Sequence, residues 1–410
     1  MKRIVFINRY YQPDQSATAR VLTALTVGLA RRGYRVHVLT SDQRYEEPTA
    51  RLPARESLDG VEVHRLATSR FGRRGLAGRT ADYLAFIAAA SWWLLKHLRR
   101  GELVVCKTDP PMLSAFLWPV LALRGAVLVN WLQDLFPEVA VELGVLSRRG
   151  AILPRALRNL GLRRAARNVV IGRLMARRLA SLGMDDSRQR LIENSCNVSE
   201  LSAHQGGRDV RERWGLEENA FVVMYSGNLG RAHPQDWIGR CMENLAGHPT
   251  IQFVMIGGGA GMERLRQRCA GLPNCRFLPY QPESELAECL AAGDLHLIAL
   301  KPELEGLIVP SKFYPVTAVA RPAVYLGSEA GDIARYLRRN RCGCVAGSSE
   351  ELAQVLRRLE GDRTAVHAMG QRAGGLARAQ FSLSRSQTRW EALLDDLGFR
   401  PDISEMAYES

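Results

Sequence analysis

The sequence predicts an α/β protein built from two Rossmann-like domains. Three observations carry this. The first half alternates short apolar strands with helical spacings, the same rhythm restarts at Ala220, and 410 residues exceed what one ordinary core holds. Expected divisions are residues 1–197, 198–380 and 381–410, the last a helix that crosses back onto the first domain and ends in a polar tail.

Taken in order, Ile4–Ile7 reads as a strand, and Ala19–Arg32 as a helix through Leu22, Leu25 and Leu29, closed by Gly33. Arg35–Thr40 and Val61–Leu66 alternate as strands. Tyr83–His97 is amphipathic; its aromatic residues beside a basic end suit a core helix slightly better than an interfacial one. Leu103–Cys106, Ala126–Trp131, Asn168–Ile171 and Gln189–Glu193 complete the first set of strands, and Asn194–Arg211 reads as a linker. The second set is Ala220–Tyr225, Ile251–Ile256, Cys275–Leu278, Asp294–Leu300 and Pro322–Leu326. Phe381–Leu397 has helical spacing through Trp390, Leu393 and Leu394.

Composition excludes several classes. The apolar region Pro110–Leu132 is interrupted by Arg124 and Gly125, too soon for a membrane span. The amino terminus carries too short an apolar run for a secretory signal, and the eight cysteines are scattered, so a reducing, cytoplasmic setting with no metal site is expected. A formal net charge of +14, much of it in paired arginines such as Arg73-Arg74 and Arg148-Arg149, points to an anionic membrane surface or to plain solvation. No nucleic-acid module accompanies the charge, so nucleic acid is not an expected partner.

Parallel sheets bind ligands at the carboxyl ends of their strands, and the candidate residues fall there. Glycine turns at Ser226–Gly230 and Gly257–Gly259 each follow a strand, where backbone N–H groups can approach a diphosphate. Met262 stands where a dinucleotide fingerprint needs its third glycine, which argues against NAD. Pro310 suits a first helical turn, so Ser311 and Lys312 are expected beside free N–H groups at a positive helix end. Asp134 and Glu138 follow a strand as well; a carboxylate at a helix start is the plain alternative for Glu138. His233 is read as a phosphate donor because Gly227–Arg231 precede it, with an acid–base role or a surface loop as alternatives.

Five segments together resemble the retaining, nucleotide-sugar-dependent glycosyltransferases of family 4, which have the two-domain GT-B fold with the domains facing across a cleft. They are Tyr10-Tyr11-Gln12-Pro13 with Ala17-Thr18-Ala19, Asp134-Leu135-Phe136-Pro137-Glu138, Tyr225 to His233, Gly257-Gly258-Gly259, and Val309 to Tyr314. The likeness is strongest to bacterial exopolysaccharide and O-antigen enzymes of the N-acetylfucosaminyltransferase or colanic-acid type.

The resemblance implies a UDP-sugar donor, no cofactor and no metal. It implies an undecaprenyl-diphosphate-linked glycan or similar acceptor, and a place on the inner face of the plasma membrane. It places Ser16, Ala17, Asn228, Gly230 and Arg231 at the donor diphosphate, beside Gly227, Gly258, Ser311 and Lys312 already read there from the glycine turns and the helix start, with Pro279 and Tyr280 at the base and Asp134 on the acceptor side. The family's two glutamates are replaced by Leu307 and Pro315, so Glu305 is the expected substitute at sugar or ribose. That loss keeps a second reading open: a GT-B nucleotide-sugar epimerase or a sugar-binding protein that transfers nothing.

Overall fold

Buried runs of β-branched residues make the strands, and all but one of their pairings are parallel. The computed structural model describes residues 2–14, 16–44, 51–71, 75–202 and 207–402; Arg73-Arg74 lies outside them. The chain forms two units, Met1–Glu193 with Ser386–Ser410, and Asn194–Arg385, dividing a few residues from the expected positions.

In the first unit the strands are β1 (Ile4–Ile7), β2 (Val36–Ser41), β3 (Arg55–Leu58), β4 (Val61–Leu66), β5 (Leu103–Lys107), β6 (Val127–Leu132), β7 (Arg167–Val170) and β8 (Gln189–Leu191). Their sheet order is β3-β4-β2-β1-β5-β6-β7-β8, with only β3 antiparallel to its neighbour β4. Sequence order reverses between β1 and β5, so the loops after these strands diverge and open a crevice at the sheet's carboxyl edge.

The helices are α1 (Ala17–Arg31), α2 (Leu76–His97), α3 (Leu113–Leu123), α4 (Glu138–Glu142), α5 (Ile152–Arg164) and α6 (Arg173–Ser181). Leu22, Leu25 and Leu29 of α1 pack on one sheet face, while Phe86, Leu94, Leu117 and Leu121 of α2 and α3 cover the other. Gly33, at φ +82°, ends α1 in a backbone conformation that glycine adopts without strain.

In the second unit α7 (Val198–Ser202) and α8 (Arg208–Arg213) occupy much of the segment read as a linker; residues 203–206 are outside those described. Then come β9 (Phe221–Ser226), α9 (Gln235–Asn244), β10 (Ile251–Ile256), α10 (Ala260–Arg268), β11 (Cys275–Leu278), α11 (Leu286–Ala291), β12 (Leu295–Ala299), α12 (Phe313–Ala318), β13 (Ala323–Leu326), α13 (Asp332–Asn340), β14 (Gly343–Ala346), α14 (Ser349–Glu360) and α15 (Arg363–Leu376). The all-parallel order is β11-β10-β9-β12-β13-β14, with its reversal between β9 and β12.

The last helix, α16 (Leu383–Asp396), begins in the second unit and ends in the first. Its Trp390 is fully buried, 4.9 Å from the Trp131 ring and 6.0 Å from Phe6, both edge-on. No described helix is long and apolar enough to cross a membrane.

Candidate active site

At the β9/β12 reversal, Lys312 projects from the start of α12 back over the loop that follows β9. Its Nζ donates to the Asn228 carbonyl at 3.2 Å and lies 5.2 Å from the Tyr225 ring. No carboxylate among the described residues pairs with it. Burial of this half-covered amine lowers its pKa to about 8, leaving it mostly charged at neutral pH.

The expected helix start is corrected here. Helix α12 begins at Phe313 rather than Pro310, and it has only six residues. Pro315 is tolerated in its first turn, where its missing N–H has no intrahelical partner to lose. The cation on Lys312 is therefore the site's charge, with little help from so short a dipole. Ser311 makes no side-chain hydrogen bond among the described residues, and neither does exposed Arg231. Lys301, just past β12, is a third such group that motif reading passed over. Its backbone N–H donates to the Ala232 carbonyl at 2.9 Å, which ties the β12 exit to the Asn228–His233 loop. Its place immediately after a strand was the available signal.

The glycine turns hold each other. Gly227 donates to the Ile256 carbonyl and Leu229 to the Gly258 carbonyl, both at 2.8 Å. A Cβ on Gly257 would stand 2.5 Å from the Gly227 oxygen, and one on Gly259 2.1 Å from Asn228 Oδ1. Both have positive φ, +117° and +106°, so close approach and conformation require glycine here independently of any ligand.

His233 Nδ1 receives the Gly230 N–H at 3.0 Å. The Gly230 carbonyl already accepts the His233 backbone N–H, so we assign the ring proton to Nε2. Burial, then the Lys312 charge, hold the imidazole down at about 4, so it is neutral at pH 7. Tyr280 is 58% exposed beyond β11, with its ring against Gly257 and Gly258. The Pro279 carbonyl accepts from Gln281 Nε2 at 2.9 Å.

Glu305 does not have the surroundings of a ligand-facing group. Its Oε1 accepts from the Tyr325 hydroxyl, and the Asp332 backbone N–H donates to the same carboxyl. It thus caps α13. Burial raises its pKa to about 7, against the lowering effect of those two donors. Leu307 is buried, so neither the family's position nor its neighbour presents a free carboxylate.

In the first unit, Ser16 is the N-cap of α1, its hydroxyl accepting from Ala19 N at 3.4 Å, and Ala17 is that helix's first residue. Glu138 is corrected from a catalytic to a structural role: Arg158 and Arg155 donate to its Oε1 at 2.8 and 3.0 Å. Burial favours its neutral form, but those two guanidinium groups outweigh it and lower the pKa.

Asp134 differs. Its Oδ1 is buried without a hydrogen-bond partner, and burial, then the Asp109 charge, raise its pKa to about 7. That is the range of a carboxyl able to hold or release a proton at neutral pH. Lys107 escaped motif reading altogether. It closes β5 with 1% exposure, donates to the Thr18 carbonyl in the first turn of α1 at 2.9 Å, and lies 4.1 Å from the Trp131 ring.

Residues 16–195 match a family model described as a glycosyl transferase 4-like domain. WcaI of Escherichia coli K12, a putative colanic acid biosynthesis glycosyl transferase, is 25% identical over 79% of this chain and 83% of its own length. The probable glycosyltransferase WbjE of Pseudomonas aeruginosa is 27% identical over 87% and 89%. HepE of Anabaena, solved with UDP-glucose, superposes with a TM-score of 0.71 at 16% identity, covering 97% of this chain and 100% of that one.

Residues 16–195 thus match a glycosyl transferase 4-like domain, and the chain has the GT-B fold of the glycosyltransferases it resembles. Its two Rossmann-like sheets, each with one order reversal, are the two halves of that fold. The colanic-acid type expected from the motifs is the type named for one of these curated relatives, WcaI.

Proposed function

We propose that this glycosyltransferase moves a hexosyl or N-acetylhexosaminyl group from a UDP-sugar to an undecaprenyl-diphosphate-linked glycan or similar polysaccharide acceptor, with retention. One observation carries the donor half: Lys312 sits at the β9/β12 reversal without a carboxylate partner, with Arg231, Lys301 and Ser311 also unengaged on loops at that edge. Such a set complements a diphosphate. Exposed Tyr280, after β11 and so two strands along from β9, offers a flat face to a base. That HepE was solved with UDP-glucose favours uridine among the nucleotides, and the colanic acid role of WcaI favours a polysaccharide acceptor.

In this reading the bond from the sugar's anomeric carbon to the diphosphate oxygen breaks, and the acceptor oxygen bonds on the same face. The acceptor proton passes to the departing phosphate oxygen. Charge growing on that group meets Lys312, Arg231, Lys301 and the Nε2–H of His233, so the scheme calls on no metal.

The reading predicts that UDP raises the melting temperature more than ADP or GDP does. Lys312→Ala should weaken UDP binding by roughly ten-fold or more, the scale of one charge-assisted hydrogen bond. Affinity should fall as pH rises through about 8, where the amine loses its charge. An unchanged dissociation constant for the variant would remove Lys312 from the site.

The alternative, an epimerase or a binding protein, is favoured by Glu305 being held on α13 and by Leu307 and Pro315. UDP release from UDP-sugar separates the two. Release that requires added acceptor supports transfer, and acceptor-independent turnover or none supports the alternative.

A further inference from the structure

We infer that the outward side of α2, α3 and α5 is a docking surface for an anionic lipid bilayer. This extends the proposed function and depends on it only for what the docking would serve.

Eight of the nine large hydrophobic residues exposed among the described residues lie in the first unit, and six belong to these three helices. Helix α3 packs against both α2 and α5, so the three form one layer. Its inner side is closed on the sheet through Phe86, Leu94, Leu117 and Leu121. The outer side is apolar as well. On α2 the exposed positions Leu84, Ala88, Trp92 and Lys96 recur at four-residue spacing, one stripe of the helix. On α3 the exposed stripe is Phe116, Pro119 and Leu123, and the helix contains no charged residue. At the start of α5, Ile152 and Leu153 are 63% and 68% exposed. A helix apolar on both faces has no reason to be so against water.

Charge names the partner. Together α2, α3 and α5 carry one acidic residue, Asp82, and it is buried, with Ser69 and the Phe71 N–H donating to it. Cations rim the layer: Arg148 and Arg149 precede α5, and Arg164 ends it over the Trp118 ring at 4.9 Å. Lys96 lies 4.5 Å from the exposed Trp92 ring. An aromatic with an apolar body beside a cation, around a charge-free centre, fits the boundary between headgroups and acyl chains. A second copy fits poorly. A two-fold contact would set this basic rim against itself, with no acid in the layer to answer it.

The test is co-sedimentation of the full chain with phosphatidylcholine vesicles, with and without phosphatidylglycerol. Binding is expected to the anionic vesicles. It should weaken roughly ten-fold or more in Leu123→Glu/Ile152→Glu and also in Arg148→Glu/Arg149→Glu. The UDP-induced thermal shift should stay unchanged in both, which shows that the fold and the donor site survive. No binding to anionic vesicles overturns the inference, as does binding that neither variant weakens. A chain that is dimeric in light scattering, with monomeric variants and no vesicle binding, overturns it in favour of self-association. Each of these results leaves the nucleotide reading standing, and loss of the UDP shift in the unaltered chain leaves the docking surface standing.

Discussion

Lys107 ends β5 and Asp134 lies two residues past the adjacent β6, and burial pushes both toward neutrality from opposite sides: the amine down to about 7, the carboxyl up to about 7. A lysine whose folded pKa lies below its unfolded value must shed its proton on folding. Its contribution to stability therefore rises with pH from about 7 up to the ordinary lysine range. Lys107→Met removes that requirement. The variant is expected to be more stable than the parent at pH 6–7, the gap closing by at most about 1.4 kcal/mol per pH unit above that. Urea melts at pH 6, 7.5 and 9 measure it, and a gap that stays constant with pH would falsify the assignment. Sequence could place these groups at strand ends but not tell their orientation. Glu138, Glu305 and Asp134 are equally plausible acids on paper. Two of them turn inward to Arg158 and to Tyr325, partners 20 residues away in each case, whereas Asp134 has a buried carboxyl oxygen without a partner and no ion pair among the described residues.

At the level of elements, what was legible was apolar periodicity. The buried strands β1, β2, β5, β6, β9, β10, β12 and β13 each announced themselves as runs of Val, Ile and Leu, and parallel pairing followed from the helices between them. Elements without that signature were missed: β3 (RESL) is an exposed edge strand, and α7 and α8 are short and polar. Proline misled at α12, since Pro310 is compatible with a first helical turn but does not create one. Helix α16 shows the other side, an amphipathic pattern whose large residue sits in the core of the first unit. Trp390 contacts Trp131 and Phe6 there, and its indole N–H is buried without a partner. Trp390→Ala should therefore cost about 3–5 kcal/mol in urea unfolding. Trp390→Phe, which keeps a six-membered ring and loses the five-membered part of the indole with its unsatisfied N–H, should cost less than about half of that. Equal losses for the two would mean that a phenyl ring recovers none of the packing, which then rests on the five-membered part of the indole.

At the scale of the whole molecule, the two units differ in how much of their core is local. The second draws its core from its own continuous segment, Phe221, Tyr225, Ile251 and Phe253 against Met242, Leu265, Leu352 and Leu356. The first borrows Trp390, Leu393, Leu394 and Phe399 from beyond the second. It also borrows charge: Arg32 pairs with Glu391, Arg389 with Glu193, and Arg167 and Arg190 with Asp396. Ion pairs that are mostly half-buried add little individually, whereas four buried apolar side chains are several kcal/mol, comparable to the whole stability of a domain. Residues 194–385 made alone should then melt cooperatively, while 1–193 alone should bind a hydrophobic dye and show no sharp transition. Joining residues 386–402 to 1–193 through a flexible linker should restore a cooperative melt. If 1–193 melts sharply without them, α16 is an accessory to the first unit's core, and the cost expected for Trp390→Ala should shrink with it.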